Sequence, residues 1–366
     1  MVRFAARITV TNPGGNKLDF ILTLLGTLMI VATLLPFARL DDWWVRIFDF
    51  PRQQITVVSA LVLLLTLFVR QDASSVQNLW LAALAACTLY QGWRMFPYTP
   101  MHSKQVQDSQ RTDPDATLSV LCANVLMSNH NADGLHRLIE ENDPDLIFTA
   151  ETDAWWQRAL QPLEASHPFN VQQAQDNTYG MLLYSRLELL DARVQFLVED
   201  DVPSIHARVR LRNGQELELR CLHPRPPAPG ESSTSTERDA ELLLVGKEIK
   251  ALEAPAIVCG DMNDVAWSRT NDLFCAVSGL LDPRIGRGFF HTFNSKWLWM
   301  RFPLDHVFHS AHFRLVDFRR LPHWGSDHFP VFIKLAFEPD AEAEQEEPEP
   351  SVEEEKEAEE KIEKAV

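Results

Sequence analysis

The sequence has few cysteines, and none of them stands in a pattern that predicts a covalent bridge or a metal finger. No two cysteines form a CxxC pair, and their number is odd. The five are Cys87, Cys122, Cys221, Cys259 and Cys275. A disulfide framework and a structural zinc site are therefore excluded as organising features. Since Cys122, Cys221 and Cys259 lie inside apolar runs, we expect them to be small buried hydrophobic side chains.

The sequence also lacks a cluster of basic residues. Its net charge is -17, but the segment from Glu338 to Val366 alone holds fourteen acidic residues and three lysines, so the rest carries only -6. Non-specific nucleic-acid affinity rests on clustered Lys and Arg, and no basic nucleic-acid-binding face is predicted. A nuclease that makes few phosphate contacts is still compatible with this charge distribution. The segment 338–366, rich in Glu, Pro and Ala, is typical of a disordered acidic tail, in which residues 353–365 are able to form a transient helix.

Charged residues are absent from a run near the N-terminus. Phe20 to Ala38 contains none, and its length suits a bilayer span, which needs roughly 20 apolar residues. Shorter apolar runs follow at 55–69 and 79–90, with tryptophans near their ends. We therefore expect residues 1–97 to be a membrane segment with two or three transmembrane helices. A cleaved signal peptide is disfavoured, because the first run is longer than a signal core and lacks a small-residue cleavage site.

Because of this segment, we expect the chain to be an integral membrane protein, located in the bacterial inner membrane. Basic residues flank the apolar runs on both sides, so the side on which the rest of the chain lies is not assigned. Residues 98–117 are polar and predict a linker.

Residues 118–337 have the periodicity of a mixed α/β domain. Asn213-Gly214 stands between two alternating apolar segments and predicts a β-hairpin. The predicted strands are 118–125, 145–150, 179–190, 205–211, 216–222, 256–259, 304–310, 313–318 and 329–337. The predicted helices are 133–141, capped by Asn131 or Asp133, and 237–252. Strands outnumber helices, and part of the sheet is expected to be antiparallel.

Short polar motifs stand at the ends of these apolar runs, where a sheet delivers side chains to its rim. They are LCANV, FTAET, CLHPRPP, VCGDMND, PLDHVF and GSDHFP. Acidic and amide groups from several strand ends can converge on one Mg²⁺, which takes oxygen ligands. Histidines beside them can transfer protons near neutral pH.

This set of motifs resembles the endonuclease/exonuclease/phosphatase superfamily, which includes deoxyribonuclease I, apurinic endonucleases, inositol polyphosphate phosphatases and neutral sphingomyelinases. The resemblance covers roughly Leu118 to Leu335. GDMND and GSDHFPV, in that order, are specific together though weak singly. The resemblance implies an α/β (α+β) fold, a four-layer α/β/β/α sandwich of two mixed sheets, with the site at one end.

The resemblance also implies a metal site with Mg²⁺ as its cofactor and Mn²⁺ as an alternative. Glu151 in TAETD matches the glutamate that binds the metal directly, and Asn124 in CANV matches the asparagine beside it. Asp327 in GSDH is expected to support the metal directly or through water. From the residues alone, a carboxylate straight after the strand LIFTA is costly unless it ligates or pairs. Asn124 has the alternative of capping a turn.

The catalytic roles implied by the resemblance fall on five residues. Asp261 and Asn263 in GDMND match the pair that positions the attacking water and holds the scissile phosphate. His328 matches the catalytic histidine, and Asp305 in PLDH matches the carboxylate that orients it. His223 stands where relatives carry a histidine or tyrosine that contacts the phosphate. Whether His328 acts as base or as cationic stabiliser is left open.

These expectations together describe a membrane-anchored, Mg²⁺-dependent phosphoesterase. An activated water attacks a phosphodiester or phosphomonoester in line. The alternatives are a membrane-tethered endo- or exonuclease acting on DNA or RNA, and a catalytically idle relative used for binding or scaffolding. The expected partners are a phosphate-ester substrate (a lipid head group, a small phosphodiester or nucleic acid) and the membrane, with no obligate protein partner inferred. Loops 224–238 and 284–299 are the expected selectivity elements.

Overall fold

The computed structural model describes residues 13–69, 74–111 and 113–366, with side chains from Lys17 onward. These residues divide into two compact units. The helical unit contains the described residues up to Arg39 together with Pro51–Met95. The globular unit contains Leu40–Phe50 and Phe96–Val366.

The helical unit is built from three long helices: α1 Pro13–Leu34, α3 Arg52–Val69 and α4 Ser75–Met95. Two stretches in the described part of the chain, 17–38 and 52–69, are long and apolar enough to cross a membrane. The third helix, α4, has lower hydropathy because Gln77, Asn78, Gln91 and Arg94 interrupt its apolar sequence. The apolar runs of the sequence thus form helices, two of them suited to a membrane by length and composition.

A polar chain links the three helices inside this unit. Arg52 Nη1 donates to Gln91 Oε1 at 3.1 Å, and Gln91 Nε2 donates to Thr33 Oγ1 at 3.1 Å. All three side chains are buried, where hydrogen bonds offset the cost of desolvation. Leu22, Val62 and Leu84 supply the apolar contact beside this chain.

The globular unit alternates strands and helices. In chain order its elements are α2 Trp43–Arg46, β1 Thr117–Asn124, α5 Ala132–Asn142, β2 Leu146–Ala150, α6 Ala154–Leu160, β3 Phe169–Gln173, β4 Met181–Ser185, β5 Glu188–Gln195, β6 Ser204–Arg210, β7 Glu216–Leu222, α7 Thr236–Leu252, β8 Ala256–Asp261, α8 Arg269–Ser278, β9 Asp305–His309, β10 Phe313–Arg320, β11 Val331–Phe337 and α9 Val352–Glu363. The strands form a six-stranded sheet of order β10-β11-β1-β2-β4-β3 and a five-stranded sheet of order β5-β6-β7-β8-β9.

The two sheets pack face to face over one apolar core. Alternate residues of a strand point to opposite faces, so Val120 and Cys122 of β1 enter the inter-sheet core while Leu121 faces α5 and α6. The helices α7 and α8 cover the other sheet through a separate cluster that includes Val245 and Phe274. The expected four-layer sandwich of two mixed sheets is confirmed.

Strand direction brings the polar motifs to one edge. The pairs β1–β2 and β7–β8 are parallel, so their carboxyl ends lie together. The strands β11 and β9 run antiparallel to β1 and β8, which brings their starts to that same edge. Asp261 at the end of β8 pairs in register with Asp305 at the start of β9.

The predicted strand 179–190 is wrong as one element. The chain leaves the first sheet at Ser185 and enters the second at Glu188, so β4 and β5 belong to different sheets. A turn in which Ser185 Oγ and the Leu187 backbone exchange hydrogen bonds reverses the chain between them. Strand β3 and helix α8 were not predicted, because β3 is polar and α8 has a short, mixed pattern.

The predicted linker 98–117 is not a free tether. Tyr98 is buried and its hydroxyl donates to the Ala266 carbonyl at 2.6 Å. Val106 is fully buried in the inter-sheet core. These buried side chains, together with backbone hydrogen bonds that Gln107 and Ser109 form with Leu315, hold the stretch on the globular unit.

The predicted disordered tail is also corrected. Residues 352–363 form α9, which begins with a capping box between Ser351 and Glu354. Ala358 is buried against α7 and α8, and Arg269 pairs with Glu354 and Glu357. Basic residues of the globular unit partly neutralise the acidic charge of this segment. The prediction of disorder used only the composition of the segment itself and so did not include those distant residues.

Candidate active site

Asn124 joins the two sheets at the shared edge. Its side-chain amide donates to Glu151 Oε1 at 2.7 Å and to Asp261 Oδ2 at 3.0 Å. Its own Oδ1 accepts from the Leu126 backbone at 3.0 Å. One buried amide therefore holds two carboxylates that come from different sheets.

Glu151 follows β2 in a left-handed backbone conformation, with φ of 59°. The Met127 amide lies 3.4 Å from Glu151 Oε2, and Asn124 is the stronger hydrogen-bond donor. Burial raises the pKa of Glu151, while His223, Asn124 and His328 act in the opposite direction. A non-glycine residue in this region is strained, and such strain often occurs at functional positions.

Asp261 and Asn263 leave β8 through a tight turn. Gly260 has φ of 141°, and an added Cβ would meet the Leu222 carbonyl oxygen at 2.0 Å, so only glycine fits there. Asp261 Oδ1 accepts from the Asn263 amide at 3.0 Å. The Asn263 side chain donates to the Pro224 carbonyl at 3.0 Å, which joins this turn to the end of β7.

His328 and Asp305 form a hydrogen-bonded dyad. His328 Nδ1 lies 2.8 Å from Asp305 Oδ2, and Nε2 lies 3.5 Å from Asp261 Oδ2. Burial would lower the pKa of His328, but Asp305 and Asp261 outweigh it and raise the pKa to about 10. The two carboxylates therefore favour the cationic form of the ring.

His223 is a second histidine near Asp261. Its Nε2 is 3.9 Å from Asp261 Oδ2, and its Nδ1 is buried without a hydrogen-bond partner. Its ring packs beside Tyr179 at 5.5 Å between centroids. Arg225, two residues further along the chain, pairs with Glu199 and lies over the Tyr179 ring.

Asp327 stands between two backbone anchors. Its carbonyl accepts from the Ser295 amide at 2.6 Å, and the neighbouring Ser326 donates to the Asn124 carbonyl at 2.8 Å. Asp327 Oδ1 is buried without a hydrogen-bond partner. The carboxylate also contributes to the raised pKa of His328.

The structure thus brings all eight predicted site residues to one edge of the sandwich. We call this set the site cluster: Asn124, Glu151, His223, Asp261, Asn263, Asp305, Asp327 and His328. In the described part of the chain, no lysine or arginine pairs with its four carboxylates. Asp261, Asp305 and His328 place three potential metal-ligating atoms within 4.8 Å of one another.

A second charged cluster, which the sequence did not reveal, lies behind the Asp261 turn. Arg238 Nη1 donates to the Asn263 carbonyl at 2.8 Å, and its Nη2 reaches Asp239 at 2.7 Å and Asp264 at 3.2 Å. We call this set the supporting cluster: Asp41, Arg46, Asp49, Arg238, Asp239, Asp264, Lys361 and Lys364. An arginine inside a helical pattern carries no local sign of such a role.

The supporting cluster ties two distant chain segments to the site. Asp239 forms an ion pair with Arg46, 3.2 Å away, which belongs to the segment between α1 and α3. It forms another with Lys361 of α9, 2.8 Å away. Lys361 also reaches Asp41 at 2.9 Å. Burial would raise the pKa of Asp239, but Arg238, Lys361 and Arg46 hold it well below its usual range.

Comparison with known proteins agrees with this geometry. Residues 121–328 match the family model described as Endonuclease/Exonuclease/phosphatase family. That match spans more than half of the chain, and the chain belongs to the endonuclease/exonuclease/phosphatase family. No curated protein sequence matches it.

Solved structures share the fold at low identity. An endonuclease/exonuclease/phosphatase from Beutenbergia cavernae is 14% identical, with 61% of this chain and 72% of that chain covered and a TM-score of 0.50. One from Bacteroides vulgatus is 16% identical, with 61% and 99% covered and a TM-score of 0.50. D. rerio TDP2 complexed with single strand DNA product is 19% identical, with 60% and 99% covered and a TM-score of 0.47.

Proposed function

We propose that this protein is a membrane-anchored, Mg²⁺-dependent phosphoesterase that hydrolyses a phosphodiester or phosphomonoester by in-line attack of water. The observation that carries the proposal is a continuous polar chain across both sheets. It runs from Asp305 through His328, Asp261 and Asn124 to Glu151, with no step longer than 3.5 Å. Such a chain fixes acid, base and ligand groups relative to one another before substrate arrives.

The donor set fits a hard divalent cation. Glu151 is a carboxylate whose burial raises its pKa, and Asp327 has a buried oxygen without a partner. Both features are costly in the absence of a cation. Glu151 and Asn124 would hold the metal, with Asp327 supporting it; Mn²⁺ is the alternative ion. When bound, the metal neutralises phosphate oxygens and acts as a Lewis acid.

The chain's own residues divide the remaining work. Asp261, held by Asn124 and the Asn263 amide, orients the attacking water and accepts its hydrogen bond. His328, fixed by Asp305, directs the Nε2 proton toward the negative charge that develops on the phosphoryl oxygens. His223 Nε2 lies 3.9 Å from the Asp261 oxygen that His328 Nε2 approaches at 3.5 Å, and His223 can contact the phosphate as well. The raised pKa of His328 favours the cationic role over that of a base.

Membrane anchorage is part of the proposal. The segments 17–38 and 52–69 have the length and composition of bilayer spans. The chain passes directly from α4 at Met95 into the globular unit at Phe96. A substrate at or near the bilayer is therefore the first candidate, in the inner membrane of a bacterium.

A tethered nuclease is the second candidate. Arg301 and Arg320 flank Phe329 beside His328, and Trp297 and Trp299 are exposed in the same region. Cations and exposed aromatic rings suit phosphates and unstacked bases as well as lipids. A catalytically idle relative is a third candidate, disfavoured because all eight site residues are in place.

The test is ester hydrolysis by the full chain in detergent, with Mg²⁺ or with EDTA. The substrates are plasmid DNA, RNA, phosphoinositides, sphingomyelin and bis-para-nitrophenyl phosphate. Asp261→Asn removes the central carboxylate, and Asp191→Asn is the matched control on an exposed strand. Metal-dependent turnover of one class, lost only in Asp261→Asn, supports the proposal. A folded protein without turnover on any class supports the idle relative instead.

The full chain is used because the globular unit includes residues 40–50. A protein beginning at Met101 lacks Asp41, Arg46 and Asp49, and with them three members of the supporting cluster. Inactivity of such a fragment would not distinguish a wrong function from a damaged site.

A further inference from the structure

An exposed apolar loop stands next to the site cluster. Trp297, Leu298, Trp299 and Met300 are 67%, 68%, 81% and 51% exposed, in an otherwise well-packed globular unit. Four consecutive large apolar side chains in water form a patch of the kind that marks an interaction surface.

The loop is held in shape by its own backbone and by the site. The Asn294 amide donates to the Met300 carbonyl at 3.0 Å, and the Met300 amide to the Trp297 carbonyl at 3.2 Å. Ser295 Oγ donates to the Ser326 carbonyl at 2.7 Å, beside Asp327. The patch is therefore presented by a turn that is fastened to the GSDH motif.

Two arginines without a carboxylate partner lie at the base of this loop. Arg301 and Arg320 sit over the Phe329 ring at 5.0 Å and 4.2 Å, next to His328. Arg301 donates to the Ser295 carbonyl and Arg320 to the His291 carbonyl, and no carboxylate in the described part of the chain pairs with either. Arg301 Nε is buried without a hydrogen-bond partner.

The two cations also disfavour each other. Burial lowers the pKa of Arg320, and the proximity of Arg301 lowers it further. In a chain with net charge -17, a pair of adjacent uncompensated cations points to an anion supplied from outside. Lys296, exposed at the start of the patch, adds a third positive charge.

We propose that loop 296–301, together with Arg320, is a bilayer-docking element that inserts its apolar tip into the membrane interface and binds anionic lipid headgroups. Tryptophan beside basic residues is the combination that the headgroup region favours. Leu298 and Met300 favour lipid over nucleic acid as the binding partner, because exposed aliphatic side chains suit acyl chains and offer no stacking surface to a base. The inference rests on the membrane location in the proposed function and deepens it: docking would bring the site cluster to a headgroup phosphate.

The test measures the depth of the loop in a bilayer. The full chain is reconstituted into phosphatidylcholine vesicles, with or without phosphatidylglycerol, that contain lipids with a quencher on the acyl chain. A fluorophore is attached at Leu298→Cys, and in a control protein at Val352→Cys, another exposed apolar position of the globular unit. A preparation without an engineered cysteine corrects for labelling of the half-buried Cys275.

We expect strong quenching at position 298, more with phosphatidylglycerol, and little at position 352. Arg320→Gln should lower the docked-to-undocked ratio about fivefold, the effect of one basic residue near an anionic surface. Arg319→Gln is the matched control, because Arg319 is already paired with Asp317 at 2.6 Å. Arg320→Lys, which keeps the charge, should retain docking.

Equal quenching at positions 298 and 352 overturns the proposal, and so does an equal loss in Arg319→Gln and Arg320→Gln. Protection of the position 298 fluorophore from aqueous iodide by oligothymidylate, without lipid quenching, assigns the loop to nucleic acid and also overturns it. Metal-dependent turnover is measured on the same preparations. In the protein with wild-type Arg320, absence of docking with intact turnover overturns only this inference, and absence of turnover with intact docking overturns only the phosphoesterase proposal.

Discussion

The site cluster and the supporting cluster are both mostly buried and both rich in aspartate, yet their charges are balanced differently. The supporting cluster sets four basic side chains against four acidic ones. The site cluster sets four carboxylates against His328, the one member whose cationic state is indicated by a raised pKa. A balanced buried network holds a structure together, whereas buried carboxylates without compensating charge either take up a proton or bind a cation.

The same contrast occurs within helix α7. Asp239 and Glu241 are both buried on this helix. Arg238, Lys361 and Arg46 keep the pKa of Asp239 low. Burial and the nearby Glu199 raise the pKa of Glu241 to about 8, and Glu241 Oε1 has no hydrogen-bond partner. Neighbouring charge, and not burial alone, therefore decides the protonation of a carboxylate in this domain.

The largest expected effect concerns the site cluster. His328→Ala should lower kcat/KM by about a thousandfold, because it removes a positioned proton donor from the transition state. His323→Ala, an exposed histidine beside Phe329, is the control and should keep activity. Steady-state kinetics with Mg²⁺ checks this on whichever substrate is turned over. A His328→Ala protein within tenfold of the parent would remove this residue from the mechanism.

The next effect concerns the supporting cluster. Asp239→Asn leaves three basic groups without their shared partner, and the free energy of unfolding should fall by about 3 kcal/mol. Asp191→Asn breaks the exposed pair with Arg208, which solvent screens, and should leave the free energy of unfolding nearly unchanged. Denaturant unfolding of both variants measures the difference. Equal, small losses would mean that the cluster does not stabilise the domain.

The two carboxylates of α7 should give opposite pH dependences. The pKa of Asp239 is lowered in the folded state, so its stabilisation is complete above the ordinary pKa of 3.8 and is lost as the pH falls below it. The pKa of Glu241 is raised to about 8 from 4.5, so the folded state loses stability as the pH rises through that window.

These signs give two measurable outcomes. Glu241→Gln should gain about 2 kcal/mol over the parent at pH 9 and little at pH 5. Asp239→Asn should flatten the loss of stability below pH 3.8. Thermal unfolding across pH reads out both, and identical pH profiles for parent and Glu241→Gln would contradict a neutral buried glutamate.

The smallest effect separates a metal site from a structural carboxylate. With EDTA, Glu151→Gln should be as stable as the parent or about 1 kcal/mol more stable, because it removes a buried charge without a cation. With Mg²⁺ the parent should be stabilised and the variant should not. Equal stabilisation of both proteins by Mg²⁺ would place the ion elsewhere.

Local patterns predicted most elements of the sandwich. Asn213-Gly214 identified the β6–β7 hairpin, and Asn131 caps α5 as one of two expected residues. The sequence did not predict that β4 and β5 are separate strands. Only two residues connect these strands of different sheets, so the apolar pattern is almost continuous across the connection. Strand β3 was missed because its partner, and not its own sequence, makes it a strand.

The motifs by themselves predicted which residues form the candidate site, because Glu151, Asp261 and His328 each follow or precede an apolar run at a strand end. Their common location required the directions of β1, β2, β8 and β9, which the pairing of the sheets supplies. Only the tertiary structure decided which carboxylates carry compensating charge. Arg46 and Lys361 reach Asp239 from 193 and 122 residues away, and Coulomb energy depends on distance in space rather than along the chain.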